Sequence, residues 1–265
     1  MGQIYYADTA LLPAISVPDS SSSEQSFIAT LATMLLQTGA AGFLIGDIIL
    51  LAPIPGGCTL NGYEVRIPEL DTGSAVTFDL GDNTILSSAT NGTVGTAFTT
   101  PALGTSFTLT AAASTSSFTA TNGLLMVNGI LISYASLSGS TFVTCYSSVA
   151  GMVIPKGSLI QQAGNTAAYQ AAAAVQAGQG IDLFPWGSIS STTVATATAV
   201  PSAIPAVYGQ PFNTSSPPGT PNPAVPAIIG QQWFLLRFHA SPTTYNAATT
   251  PIVGSIRTNA KGYYI

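Results

Sequence analysis

Charge is what this sequence has least of. Its 265 residues carry 5 Lys+Arg, 10 Asp+Glu and one His, so 6 % are charged, against about 25 % in an ordinary soluble domain. Five basic residues and a net charge of −5 cannot neutralise a run of phosphates, which excludes a strong nucleic-acid binder. The Glu/Lys/Arg faces of coiled coils and long amphipathic helices are missing as well. Cysteine is nearly absent. Cys58 and Cys145 form no disulfide framework; two small buried thiols is the simpler reading, and spacing alone leaves their pairing open. No long apolar run exists either. The most apolar region, Phe27–Pro55, is interrupted by Gln37, Thr38 and Asp47 and stopped by Pro53 and Pro55, short of the ~20 consecutive residues of a membrane-spanning helix. The amino terminus, MGQIYYADTA, lacks the basic and apolar segments of a signal peptide. No membrane partner, no metal and no cofactor is expected.

What fills the space is small and hydroxylic. The chain holds 28 Ser, 33 Thr, 26 Gly and 18 Pro. Hydrophobic residues make up 46 % and mean hydropathy is +0.43, enough to build a core and well away from the composition of disordered chains. A free domain usually presents a surface with roughly 25–35 % charged residues. This one cannot, so its surface is expected to be Ser/Thr-rich and in large part covered by other subunits.

The pattern along the chain predicts a mainly β protein with little helix. Ser26–Gln37 places Phe27, Leu31, Met34 and Leu35 at helical spacing, with Ser20–Ser23 and Glu24 before it as N-cap signals and Gly39 after it as a stop. Strand signals begin with Asp47–Ala52, followed by Thr59–Ile67, in which Tyr63, Val65 and Ile67 alternate with Glu64 and Arg66, and by Ala75–Leu80, in which Val76, Phe78 and Leu80 alternate with Thr77 and Asp79. Period-two alternation predicts an antiparallel meander with one buried face. Short strands are expected at Phe107–Leu109 and Phe118–Ala120. Asn128-Gly129 between Leu124–Val127 and Ile130–Tyr134 is a type I′ hairpin signal; Ser136–Ser140 reads as the next turn and Thr141–Tyr146 as the next strand. Asn165–Gln176 is Ala-rich and predicts a short helix. Residues 187–230 read as a Pro/Ser/Thr-rich excursion packed on a neighbour. Trp233–Ala240, Ile252–Ile256 and Tyr263–Ile265 complete the sheets. The resulting division is an amino-terminal arm with a short helix at 1–43, a discontinuous antiparallel β-sandwich from 44–104 and 161–265, and an inserted β-hairpin knob at 105–160.

Few residues suggest chemistry. Asp71-Thr72-Gly73-Ser74 matches the carboxylate loop of aspartic proteases, in which two such loops share one proton. No second Asp-Thr-Gly or Asp-Ser-Gly occurs in the chain, so only a homodimer would complete that site. A turn between strands explains the same residues, because Asp and Gly favour local hydrogen bonds and positive φ. Asp79 and Asp82, near Glu64, Glu69 and Asp71, form the sole acidic cluster, but the spacing is not that of a calcium loop and solvent-facing acids account for it. His239 lies in an apolar run without clustered metal ligands and without a nucleophile elbow. The paired tyrosines near the ends, Tyr5-Tyr6 and Tyr263-Tyr264, stand out as exposed aromatics, a type enriched at interfaces.

The run Gly46–Asp82, read as G-D-I-I-L-L-A-P-I-P-G-G, then L-N-G-Y-E-V-R, then L-D-T-G-S-A-V-T-F-D-L-G-D, resembles small head proteins of tailed bacteriophages. The closing segment Pro251–Ile265 resembles their last strands. Gly123–Tyr134 with Gly157–Leu159 is similar to a small β module of phage virion proteins. The resemblance implies a jelly-roll-like sandwich, a non-enzymatic role in decorating or cementing the outer surface of a capsid, the major capsid protein as partner, and self-association as a homotrimer. It also reads Asp71–Ser74 as a sheet turn. The amino-terminal arm is expected to grip a neighbouring subunit. Its residues Ile4, Tyr5, Tyr6, Leu11 and Leu12, with Tyr263 and Tyr264, are the expected partner-binding set. Alternatives are a head-fibre, tail or neck protein, a receptor- or glycan-binding spike with 105–160 as its knob, and, more remotely, an aspartic-type hydrolase built on Asp71.

Overall fold

The computed structural model describes residues 2–8, 23–38, 42–54, 58–71, 73–83, 85, 90–175, 180–184, 187–190, 232–239 and 251–260. In chain order its elements are β1 (Ile4–Tyr6), β2 (Ser23–Ala29), α1 (Leu31–Thr38), β3 (Ile48–Ile54), β4 (Cys58–Ile67), β5 (Val76–Asp82), β6 (Asn91–Thr93), β7 (Phe98–Thr99), β8 (Phe107–Thr110), β9 (Thr121–Val127), β10 (Ile130–Ser138), β11 (Thr141–Ser147), β12 (Val153–Ile154), β13 (Leu159–Ala163), β14 (Asn165–Val175), β15 (Ile181–Phe184), β16 (Gly187–Ser190), β17 (Gln232–Phe238) and β18 (Ile252–Ala260). The fold is mainly β, and its heart is a sandwich. One sheet runs β1-β3-β17-β5-β14 and the other β16-β15-β4-β18-β2. Their facing side chains, among them Phe27, Val65, Leu183 and Ile256 on one side and Ile49, Phe78, Phe234 and Leu236 on the other, form one core.

A third sheet, β6-β13-β9-β10-β11-β8, is built from the segment between β5 and β14. It has its own core around Leu125, Ile132, Tyr134, Phe142 and Ile160. Its other face packs Leu124, Met126, Leu131 and Ala163 against Ile48, Leu50 and Leu235 of the sandwich. The sheet containing β3 and β17 is therefore covered on both faces. That explains why Ile48–Leu51 and Phe234–Leu236 are unbroken apolar runs: consecutive side chains point to opposite faces, and here both faces are dry.

The double burial corrects the expected meander. β3, β4 and β5 are not neighbours: β17 lies between β3 and β5, and β4 belongs to the opposite sheet. A meander with one wet face would expose half of Ile48–Leu51, and crossing between sheets avoids that cost. Other expectations divide. The Asn128-Gly129 hairpin is present, with both residues at positive φ (49° and 81°) and Val127 opposite Ile130. Ser136–Ser140 is not all turn; β10 continues to Ser138 and turns on Gly139-Ser140, Gly139 at φ 60°. Phe118–Ala120 is not a strand. The Phe118 N–H donates to the Thr115 carbonyl at 2.9 Å, closing a turn that drops the Phe118 ring edge-on against Phe142, centroids 5.0 Å apart.

The two helix expectations fare differently. Leu31–Thr38 is a helix, but Ser26–Ala29 is the end of β2, with Phe27 and Ala29 buried and Ile28 exposed. Asn165–Val175 is an eleven-residue strand paired with β5 across two register shifts. Alanine's helix preference amounts to tenths of a kcal/mol per residue, and an isolated helix of this length is marginal in water; pairing with β5, though interrupted, outweighs both. The third sheet also draws in residues outside 105–160, since β6 and β13 extend it to Asn91 and Ala163. Of the excursion 187–230 only β16 falls within the described residues.

Candidate functional site

The residues expected to bind a partner do not behave as one set. β1 lies parallel to β3 in this chain's own sheet, Ile4 opposite Ile48 and Tyr6 opposite Leu50. Its side chains serve alternate cores. Ile4 enters the joint with the third sheet. Tyr5 is fully buried in the sandwich core, its ring edge-on to Phe43 at 4.8 Å. Tyr6 is half-buried; its hydroxyl donates to the Ser148 carbonyl at 2.6 Å and its ring meets Trp233 at 5.6 Å. Ile4 and Tyr5 are thus internal rather than exposed, a correction that follows from period-two alternation in a strand buried on both faces. Leu11, Leu12, Tyr263 and Tyr264 lie outside the described residues.

The chemical candidates are likewise occupied by structure. Asp71 is buried, and its Oδ1 accepts the Gly73 and Ser74 N–H groups at 2.7 and 3.0 Å, a local turn of the kind aspartate favours. The acidic residues of the cluster separate: Glu64 is exposed on β4, while Asp79 and Asp82 sit on β5 in the opposite sheet. Asp82 accepts the Tyr169 hydroxyl, and burial followed by the Asp82 charge raises that phenol's pKa. Asp79 is paired with His239. Arg237 donates to the Asn122 carbonyl, and burial lowers its pKa while the Asp79 charge opposes that. Among the described residues no three His, Cys, Asp or Glu come together in a way that would hold a metal. Cys145 is a free, buried thiol whose pKa is pushed up by burial to about 12, far from the thiolate a nucleophile needs.

Two features emerge that the sequence reading passed over. The first is electrical. Between Asn83 and Ile181 the single charged residue is Lys156, so the entire third sheet is an almost neutral body. Four exposed apolar side chains lie on this body, Val149, Met152, Val153 and Leu159, while Ile28, Leu36, Leu44 and Ile45 are exposed outside it. The first three lie on a rim held in place by β12 pairing with β7 and by Thr100, whose N–H donates to the Met152 carbonyl and whose Oγ1 accepts the Met152 N–H, both at 2.9 Å. Its sequence signal was Val-Ala-Gly-Met-Val where a polar turn belongs. The second is Asp47, fully buried at the root of β3. Its signal was a carboxylate inside an otherwise apolar stretch. Compared with known proteins, the chain matches no family model, no curated protein and no solved structure.

Proposed function

We propose that this chain is a non-enzymatic structural subunit of a bacteriophage virion, decorating the outer surface of the capsid by laying its third sheet on the shell. The observation that carries the reading is the near-neutral third sheet with its apolar rim. Charged residues are depleted at interface cores, where desolvating an unpaired charge is costly, and a hundred-residue stretch with Lys156 alone is suited to such a surface. The wiring of the sandwich supports it. With β1 and β16 set aside, β2-β18-β4-β15 faces β3-β17-β5-β14, an order that supports a jelly-roll reading, an architecture used by viral capsid proteins. The resemblance of Gly46–Asp82 to phage head proteins points the same way, with Asp71 engaged in its own turn.

In this reading binding to the assembled shell, and not to free capsid protein, stabilises the shell by mass action. The subunit is a homotrimer, so that three rims meet a junction of capsomers together. The test is co-sedimentation of the purified chain with assembled, genome-free phage heads and with unassembled capsid subunits. Saturable binding to heads alone is expected; binding to neither, or equal binding to both, overturns the proposal. Deleting the amino-terminal arm is a poor probe, because removal of Ile4 and Tyr5 strips side chains from two cores.

A further inference from the structure

At the root of β3, on the sandwich-core side of the strand whose other face forms the joint, lies a buried carboxylate with an unusual set of neighbours. Asp47 Oδ1 accepts the Gln3 N–H at 2.8 Å, and Oδ2 accepts the Leu44 N–H at 2.8 Å. The Tyr5 hydroxyl lies 3.3 Å from Oδ2 and 3.1 Å from the Gln3 Oε1. A phenol has one proton and so can donate to one of these two oxygens. Both contacts are hydrogen bonds if Asp47 itself carries a proton: the carboxyl Oδ2–H donates to Tyr5, and Tyr5 donates to Gln3. With Asp47 ionised, the Tyr5 proton turns to Oδ2 and the contact with Gln3 becomes oxygen against oxygen. We propose that Asp47 is a proton-controlled clasp: as a neutral acid it locks β1 into the joint, and its ionisation loosens β1 and with it the hold of the sandwich on the third sheet.

The surroundings give the clasp its leverage. β1 is only three residues long, continued by the Ile48 N–H donating to the Gln3 carbonyl and the Ala7 N–H to the Leu50 carbonyl. Through it Ile4 reaches the apolar joint and Tyr6 reaches Ser148. The same corner is tied to the third sheet by Ser133, whose hydroxyl donates to the Gly2 carbonyl. The charged and titratable groups on the packed elements are few. β1 offers Tyr5. The chain's amino-terminal charge favours the ionised form of Asp47 but is outweighed by burial. On β17 and just after it, Arg237 is engaged with Asn122 and Asp79, and His239 with Asp79 of β5. β10 adds Tyr134, whose hydroxyl donates to Thr119. Neither α1 nor β3 carries a titratable side chain.

Burial raises the Asp47 pKa from 3.8 to about 7, against the opposing hydrogen bonds from Leu44 and Gln3. The folded chain therefore holds a proton that the unfolded chain has released. This contribution to stability is complete below about pH 4 and is lost as pH rises toward 7, where both states are ionised.

The experiment follows the Asp47 carboxyl carbon by NMR in the full, 13C-labelled chain, and the exchange of the Ile48 and Ala7 amides, corrected for intrinsic base catalysis. The expected result is a carboxyl midpoint near neutrality and an opening of these amides that rises by up to about tenfold per pH unit below it, the slope of one proton. The Asp47→Asn variant keeps the shape without the charge and abolishes that slope. His239→Gln leaves it in place, which separates the clasp from the neighbouring Asp79–His239 pair. A carboxyl already ionised at pH 5, an opening independent of pH, or a slope removed by His239→Gln overturns the proposal. If Asp47→Asn does not fold, the carboxyl titration of the unaltered chain decides alone.

Discussion

The sandwich and the third sheet are made of the same kind of strand but hold their register by different means. In the sandwich, charges face each other across strands. Arg66 and Asp182 are directly opposite on β4 and β15 and pair through two contacts of 2.9 and 3.2 Å. Arg257 and Glu24 are opposite on β18 and β2. The third sheet has no such pairs to use. Its loops are pinned by hydroxyls on carbonyls: Thr115 on Gly139 at 3.0 Å, Thr90 on Ser117 at 3.0 Å, Ser147 on Val149 at 2.8 Å and Tyr134 on Thr119 at 2.7 Å. Register comes from the tight Asn128-Gly129 and Gly139-Ser140 turns. Charge is thus dispensable for folding a sheet.

The comparison is broken most severely in the two cores. Phe234 in the sandwich and Phe142 in the third sheet are both fully buried, and truncation of either to Ala is expected to cost about 3–5 kcal/mol in denaturant unfolding. Next comes the joint. Leu235→Ala removes a side chain that belongs to neither core but packs on Leu124 and Met126. It is expected to cost about 2–5 kcal/mol and to speed amide exchange in β10 as well as in β5. If β10 exchange stays unchanged, the third sheet stands by its own core alone, and the coupling that the clasp at Asp47 would control is small.

These regions also differ in how much the sequence disclosed. Single-faced strands were legible: Tyr63, Val65 and Ile67 are buried and Glu64 and Arg66 exposed, as alternation requires. The hairpin at Asn128-Gly129 was legible because its turn chemistry is local. Strand partners were not. Nothing in Ile48–Leu51 says that a distant segment supplies the second cover, so an apolar run was placed in a meander. Alanine's weak preference misled at Asn165–Val175, where pairing with β5 decides. For the site, the hydrogen bonds of Asp71 to the Gly73 and Ser74 N–H groups were legible because their partners are local, whereas the burial of Tyr5 was not. Its burial depends on contacts with Phe43 and Asp47, about forty residues away. The rim at Val149–Val153 was not legible because local sequence does not say which apolar turn residues the fold leaves exposed.

Smaller effects sharpen the contrast. Arg66→Ala removes an ion pair whose arginine is more than half exposed; surface pairs of this kind contribute about 0.2–1 kcal/mol and are screened by salt. The expected loss lies at the low end and vanishes in high salt, which would show that the sandwich charges adjust register without carrying stability.

The smallest effect on stability belongs to Val153→Lys, and there the two regions separate most cleanly. Val153 is 62 % exposed on the rim, so a lysine in its place meets water and the fold should change by less than about 0.5 kcal/mol. On a surface meant to be solvated, such a change is silent. On a surface meant to lie dry against a capsid, the ammonium has to be desolvated without a partner, which weakens association far more than it disturbs folding. Measured side by side, an unfolding midpoint that stays put with co-sedimentation that fails assigns the rim to docking. Co-sedimentation that survives Val153→Lys removes the rim from the interface and leaves the neutrality of the third sheet without a role in adhesion.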